Sequence, residues 1–145
     1  MLRILGATGA VLVAISAVFL AANGAAQSSH EVHFEECGSS KRVTCVVDGD
    51  TIWFEGEKIR LKDFDTPEPQ TNICGGSEEI TLAHKASDRL VQLLNENAFS
   101  LERDGKDRHG RTLATIRING RDIGDILIYD GLARSWPDGV EFWCE

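Results

Sequence analysis

Read from Cys45, the chain runs CVVDGDTIWFEGEKIRLKDFDTPE to Glu68. These 24 residues hold two acidic clusters, Asp48/Asp50 and Asp63/Asp65/Glu68, with Arg60 between them. Crowded carboxylates repel unless a cation sits among them, and donors that are oxygen only favour Ca²⁺ or Mg²⁺. A divalent ion beside a guanidinium suits chemistry on a phosphoryl group. Glu68, three residues from Asp65, is spaced to take a proton from an attacking water. Arg60 and Arg111 suit phosphoryl oxygens better than lysines would, because the guanidinium donates as a planar fork. Each group also has an ordinary reading. Asp48-Gly49-Asp50 is common turn chemistry, and the arginines could pair with surface acids. An EF-hand is excluded, because the twelfth position counted from Asp48 is Ile59 rather than a glutamate.

Five short strands and two helices must carry these groups. Val43, Cys45 and Val47 alternate as in a half-buried strand over 43–47. Residues 51–54 and 58–62 make the second and third strands, with the return at Glu55-Gly56-Glu57. In the third strand Ile59 and Leu61 face one way and Arg60 and Lys62 the other, so it can serve a core and a surface site together. Pro67 and Pro69 stop regular structure. Ser77 is expected to cap a helix with Glu78 and Glu79 in its first turn. Ile80, Ala83, Ala86, Leu90, Leu93 and Leu94 then form one apolar stripe to about residue 95. His84 has no second ligand four residues on and reads as a surface residue. Strands at 99–103 and 112–118 follow, with a tight turn at Asn119-Gly120. A second helix closes at Gly131, and a coil follows from Pro137. The expected class is α+β: a five-stranded barrel with one helix between strands 3 and 4 and another after strand 5. Closing or nearly closing the barrel removes exposed edges for so few strands.

A length of 145 residues allows one domain. Residues 1–26 fall outside it, with a positive start at Arg3, an apolar run over 4–22, and small residues Gly24-Ala25-Ala26. This is the pattern of a secretory signal peptide cut after Ala26. The alternative is an uncleaved membrane anchor over 4–22, since about 18 apolar residues can just span a bilayer. Either reading puts the folded part outside the cytoplasm, periplasmic or secreted. Residues 27–42 read as a polar leader, and 43–145 as the domain.

The four cysteines contain no CxxC pair, which argues against zinc. In an oxidising compartment they favour two disulfides among three possible pairings, with buried free thiols as the alternative. The favoured pairing is Cys37–Cys45, a short loop ahead of the first strand, with Cys74–Cys144 tying the last residues to a central loop. Without residues 1–26 the chain keeps 14 basic against 23 acidic side chains, net −9. That opposes nucleic-acid binding by overall attraction, so a polyanion must meet a local basic patch or a bound cation.

The strings VVDGDTIWF, IRLKDFDTPE, DRHGRTLATI and DILIYDGLAR resemble, in order and spacing, the staphylococcal nuclease (thermonuclease) family over roughly residues 44–134. The resemblance implies an OB-fold carrying a Ca²⁺-dependent phosphodiesterase, an endonuclease that cuts DNA and RNA and leaves 3′-phosphate ends. By the same resemblance, Asp50 and Asp65 would hold one Ca²⁺ ion with the Thr66 backbone carbonyl. Glu68 would act as general base or orient the water, Arg60 would hold a phosphate oxygen, and Arg111 would stabilise the transition state. Arg108, His109 and Trp136 are candidates for substrate contact. His109 stands where the nuclease has a tyrosine, and Trp136 substitutes for the family's aromatic positions against the base. Asp107 is expected near the metal or orienting its loop. Asp63 would add a carboxylate on the face of Asp65 if the strand continues.

The expected partner is a DNA or RNA substrate, met by a monomer with no stable protein partner. Membrane contact is expected only if the N-terminal segment stays uncleaved. Two other classes compete. One is a non-catalytic OB-fold module binding nucleic acid or a protein, which would be expected to have lost Glu68 or an arginine. The other is an envelope protein in which Ca²⁺ is structural.

Overall fold

In the computed structural model, which describes residues 29–30, 32–70 and 73–144, the alternation of the sequence becomes a curled sheet. The first main strand is β2 (Cys45–Asp48), preceded by a two-residue strand β1 (Ser29–His30). β3 (Thr51–Phe54) and β4 (Glu57–Leu61) form the expected hairpin, pairing Ile52 with Ile59 and Thr51 with Arg60. A short β5 (Phe64–Asp65) precedes α1 (Gly76–Glu96). Then come β6 (Phe99–Lys106), β7 (Thr112–Ile118), β8 (Arg121–Asp122), α2 (Ile123–Tyr129) and β9 (Arg134–Ser135).

The main strands lie in the order β6-β7-β4-β3-β2, with β4 and β7 parallel and the other neighbours antiparallel. Five strands, a helix between the third and fourth, and a helix after the fifth make the OB-fold α+β arrangement. Among the described residues no ladder joins β2 to β6, so the barrel is partly open at that seam. α1 packs its stripe of Ala83, Ala86, Leu90, Leu93 and Leu94 into the core. In β4, Ile59 and Leu61 are buried, which leaves Arg60 directed to the opposite face.

Five local features differ from the sequence reading. The first strand starts at Cys45 rather than at 43, and it buries Cys45 and Val46 while Val43 is exposed, so Val43, Cys45 and Val47 do not form its core face. The leader is built into the fold: Phe34 is 1% exposed, and its ring lies 6.1 Å from those of both Phe54 and Phe99. Its backbone N–H and carbonyl both bond the Asn95 side chain, at 2.7 and 2.8 Å. One aromatic in a polar stretch is enough, because burying a phenyl ring contributes about 2 kcal/mol or more.

Ser77 does not cap α1, whose N-cap is Gly75, two residues earlier, with no capping side chain. The donors there go instead to Glu79, which is 1% exposed. Its oxygens accept the N–H groups of Cys74 at 2.6 Å, Gly75 at 2.8 Å and Glu68 at 3.2 Å. A carboxylate can take several donors where a hydroxyl takes fewer.

The strand does not continue through Asp63. That residue takes a left-handed φ of 69°, is exposed, and lies 3.6 Å from Lys62, so it does not share the face of Asp65. The last residues are not plain coil: residues 142–144 form a 3-10 turn that buries Trp143. Both expected disulfides, Cys37–Cys45 and Cys74–Cys144, are present. The signal-peptide or anchor segment lies outside the described residues. Among the described residues no helix is long and apolar enough to cross a membrane.

Candidate active site

The β3–β4 hairpin and the short β5 bring the two acidic clusters together around Arg60. Gly49 makes the first approach possible: a Cβ there would sit 2.8 Å from both the Ala86 methyl group and Thr66 Cγ2. This close contact seats Asp50, 2% exposed, against Thr66, 3% exposed. Thr66 donates to Asp50 Oδ2 from its backbone N–H at 3.1 Å and its hydroxyl at 3.0 Å. Thr51 donates to Asp50 Oδ1 at 3.0 Å, where Arg60 Nη1 also bonds. The Asp50 N–H bonds Asp48 Oδ1 at 3.2 Å, so Asp48 braces the turn.

Arg60 spans both clusters. Its Nη2 donates to Asp65 Oδ1 at 3.0 Å while Nη1 holds Asp50. Desolvation works against the charged guanidinium, yet Asp50 and Asp65 raise its pKa above the ordinary value. Burial pushes the Asp50 carboxyl upward, reinforced by Asp48 and opposed by Arg60. Glu68 is half-buried, and its carboxyl is also pushed up, by burial first and then by Asp50 and Asp65.

Arg111 reaches the site from the β6–β7 loop. Its Nε donates to Asp107 Oδ2 at 2.6 Å, and its backbone N–H donates to Asp107 Oδ1 at 2.9 Å. Desolvation alone would raise Asp107, but the Arg111 guanidinium and two backbone donors bring it down to about 2. Asp107 therefore orients the loop, with its oxygens committed to Arg111 and the His109 N–H.

A cleft of about 890 Å³ joins these pieces, lined among others by Arg60, Asp65, Glu68, Arg108, His109, Arg111 and Trp136. Asp50 and Thr66 do not line it; they meet it through Arg60. Arg108 Nε donates to His109 Nε2 at 3.0 Å, and both residues are exposed on the loop. Trp136, just beyond β9, is 55% exposed.

The donor chemistry fits a hard divalent cation. Asp48, Asp50, Asp65 and Glu68 gather around one central guanidinium, and their mutual repulsion is part of what raises Asp50 and Glu68. Among the described residues, no three of these four acids bring ligand atoms within 4.8 Å of one another. Among the described residues, the metal-type atoms that do so belong to Cys74, Glu79 and Cys144, where the disulfide occupies both sulfurs.

Two residues of this network were not singled out in the sequence. Arg134 donates from Nε and Nη2 to Asp65 Oδ2 at 3.1 and 3.0 Å. Glu79 holds the Glu68 backbone in place. An arginine closing DILIYDGLAR was a visible signal for the first; a glutamate in a helix's first turn was none for the second.

A family model for staphylococcal nuclease homologues matches residues 58–139. The chain is 34% identical over 96 residues to endonuclease YncB of Bacillus subtilis, covering 61% of this chain and 44% of that one. It is 34% identical over 92 residues to the succinoglycan biosynthesis protein ExoI of Rhizobium meliloti, covering 61% and 48%. With the thermonuclease of Staphylococcus intermedius it is 31% identical over 144 residues, covering 88% and 79%. The chain thus spans less than half the length of the first two relatives and most of the third.

Proposed function

The chain belongs to the staphylococcal nuclease family, and from that premise we propose that it is an exported, Ca²⁺-dependent endonuclease acting on DNA, RNA or both, leaving 3′-phosphate ends. The observation that carries this reading is one cleft lined by Glu68, Arg60 and Arg111 above the Asp50–Asp65 pair. Asp50, Asp65 and the Thr66 carbonyl would hold a single Ca²⁺ ion, which when bound supplies positive charge to phosphoryl oxygens. Glu68, in the wall of the cleft beside Arg60 and Arg111, takes the proton of the attacking water. Arg60 and Arg111 donate to the phosphoryl oxygens as charge builds on them.

Trp136 offers an exposed indole for a nucleobase, and Arg108 and His109 offer donors for the backbone. These local groups answer the chain's overall negative charge. Export is supported by the apolar run over 4–22 and by the two disulfides. The working unit is a monomer.

The test is hydrolysis of single-stranded DNA, duplex DNA and RNA by oxidised protein lacking residues 1–26, with Ca²⁺, Mg²⁺ or chelator. Ca²⁺-dependent cutting is expected, falling by roughly 10²-fold or more in Glu68→Ala. Cutting that persists in chelator would reject the metal. Nucleic-acid binding without cutting would identify a binding module instead.

A further inference from the structure

We propose that Arg134 is a positioning residue for Asp65. It holds one carboxylate oxygen so that the other is presented to Arg60 and to the cation proposed above. The inference rests on that metal-dependent reading.

The β5–β9 ladder places Arg134 directly opposite Asp65. Asp65 then divides its oxygens between two arginines: Oδ1 accepts from Arg60 Nη2 at 3.0 Å, and Oδ2 accepts from Nε and Nη2 of Arg134. A carboxylate can turn about its Cβ–Cγ bond, and a two-pronged grip on one oxygen removes that freedom. Partners of this kind orient a metal's ligands and tune their basicity.

Arg134 is in turn held from behind. It is 9% exposed, with Trp136 and Trp143 ring centroids 5.0 and 6.0 Å from its Cζ. Its Nη1 donates to the Gly139 carbonyl at 2.7 Å and more weakly to that of Pro137 at 3.5 Å. Its Nη2 donates to Glu141 Oε1 at 2.6 Å. The chain turns over the guanidinium at Gly139, where a Cβ would lie 2.5 Å from the Ser135 carbonyl oxygen. Glu141 is fixed in its turn by the Cys144 N–H at 2.9 Å, and Cys144 is tied to Cys74. The segment after β9 thus reaches Asp65 through one side chain.

The test uses the disulfide-bonded chain and measures Ca²⁺ affinity by calorimetry, thermal melting without Ca²⁺, and kcat and KM at saturating Ca²⁺. Arg134→Gln is expected to weaken Ca²⁺ binding by about 10–100-fold. The KM for nucleic acid should stay near wild type, and Arg134→Lys should recover part of the affinity. Should Arg134→Gln fail to fold, Glu141→Gln carries the test, with a several-fold loss of Ca²⁺ affinity expected. Wild-type Ca²⁺ affinity in the folded variants would overturn the positioning role alone. A wild-type chain that binds no Ca²⁺ would overturn the metal reading and this inference with it.

Discussion

Arg60 and Arg111 both face the cleft and both bond an aspartate, yet they are held in opposite ways. Arg60 bridges Asp50 and Asp65, whose side chains are 3% and 18% exposed, and each of those acids is fixed again by Thr66 or Arg134. Its partners come from the β2–β3 turn and from β5, so the pair forms only when the barrel forms. Arg111 pairs with Asp107 four residues earlier in one loop, and its side chain is 29% exposed. The first pair is part of the fold; the second is a local brace within the β6–β7 loop. Removing Arg60 strands a carboxyl that is 3% exposed, at a large desolvation cost. Asp107, by contrast, is 14% exposed beside Arg111 and keeps some access to water and two backbone donors.

Substitutions would sharpen that contrast, and the largest effect is expected at Arg60. Arg60→Ala strands the buried Asp50 carboxylate and should lower stability by about 3–5 kcal/mol, measured by urea unfolding. An unfolding midpoint like that of wild type would erase the distinction drawn between the two arginines.

Glu79 comes next. Glu79→Gln replaces an acceptor of three backbone donors and should lower stability at neutral pH by roughly 1–3 kcal/mol. Burial raises the Glu79 pKa, but the N–H groups of Gly75, Glu68 and Cys74 outweigh it and leave the net value lowered. A lowered folded-state pKa contributes stability above the ordinary carboxylate range, and that contribution fades as pH falls through the lowered value. Urea melts across acid pH should therefore show a shallower slope for Glu79→Gln than for wild type.

Arg111→Ala should move stability least. Its unfolding midpoint is expected to stay close to wild type while hydrolysis drops by about 10²–10³-fold. A large loss of stability here would place this loop in the folding unit after all.

Much of the fold was readable from short-range pattern. The alternation of β7, the apolar stripe of α1 and the hairpin at Gly56 are all signals in which one residue's neighbours decide its face. Other features had no such signal. Phe34 sits in a polar stretch with only Val32 as an apolar neighbour, and its fit against Phe54 and Phe99 makes it core. Asp63 breaks the strand through a left-handed backbone that aspartate tolerates but does not announce. Glu79 replaced Ser77 at the helix start because the converging N–H groups come from residues as distant as Glu68, eleven positions earlier.

The sequence by itself determined which residue types are available, the Asp50, Asp65 and Glu68 carboxylates and the Arg60 and Arg111 guanidiniums, and most of the helix and strands that carry them. Residue type and period are local properties, and they survive without knowledge of the whole. Only the tertiary structure decided which groups share partners. Asp65 stands 69 residues from Arg134, and a two-residue ladder sets them face to face. Pairings of that kind depend on how separate segments cross, because the energy of a buried ion pair exists only once both partners have left water.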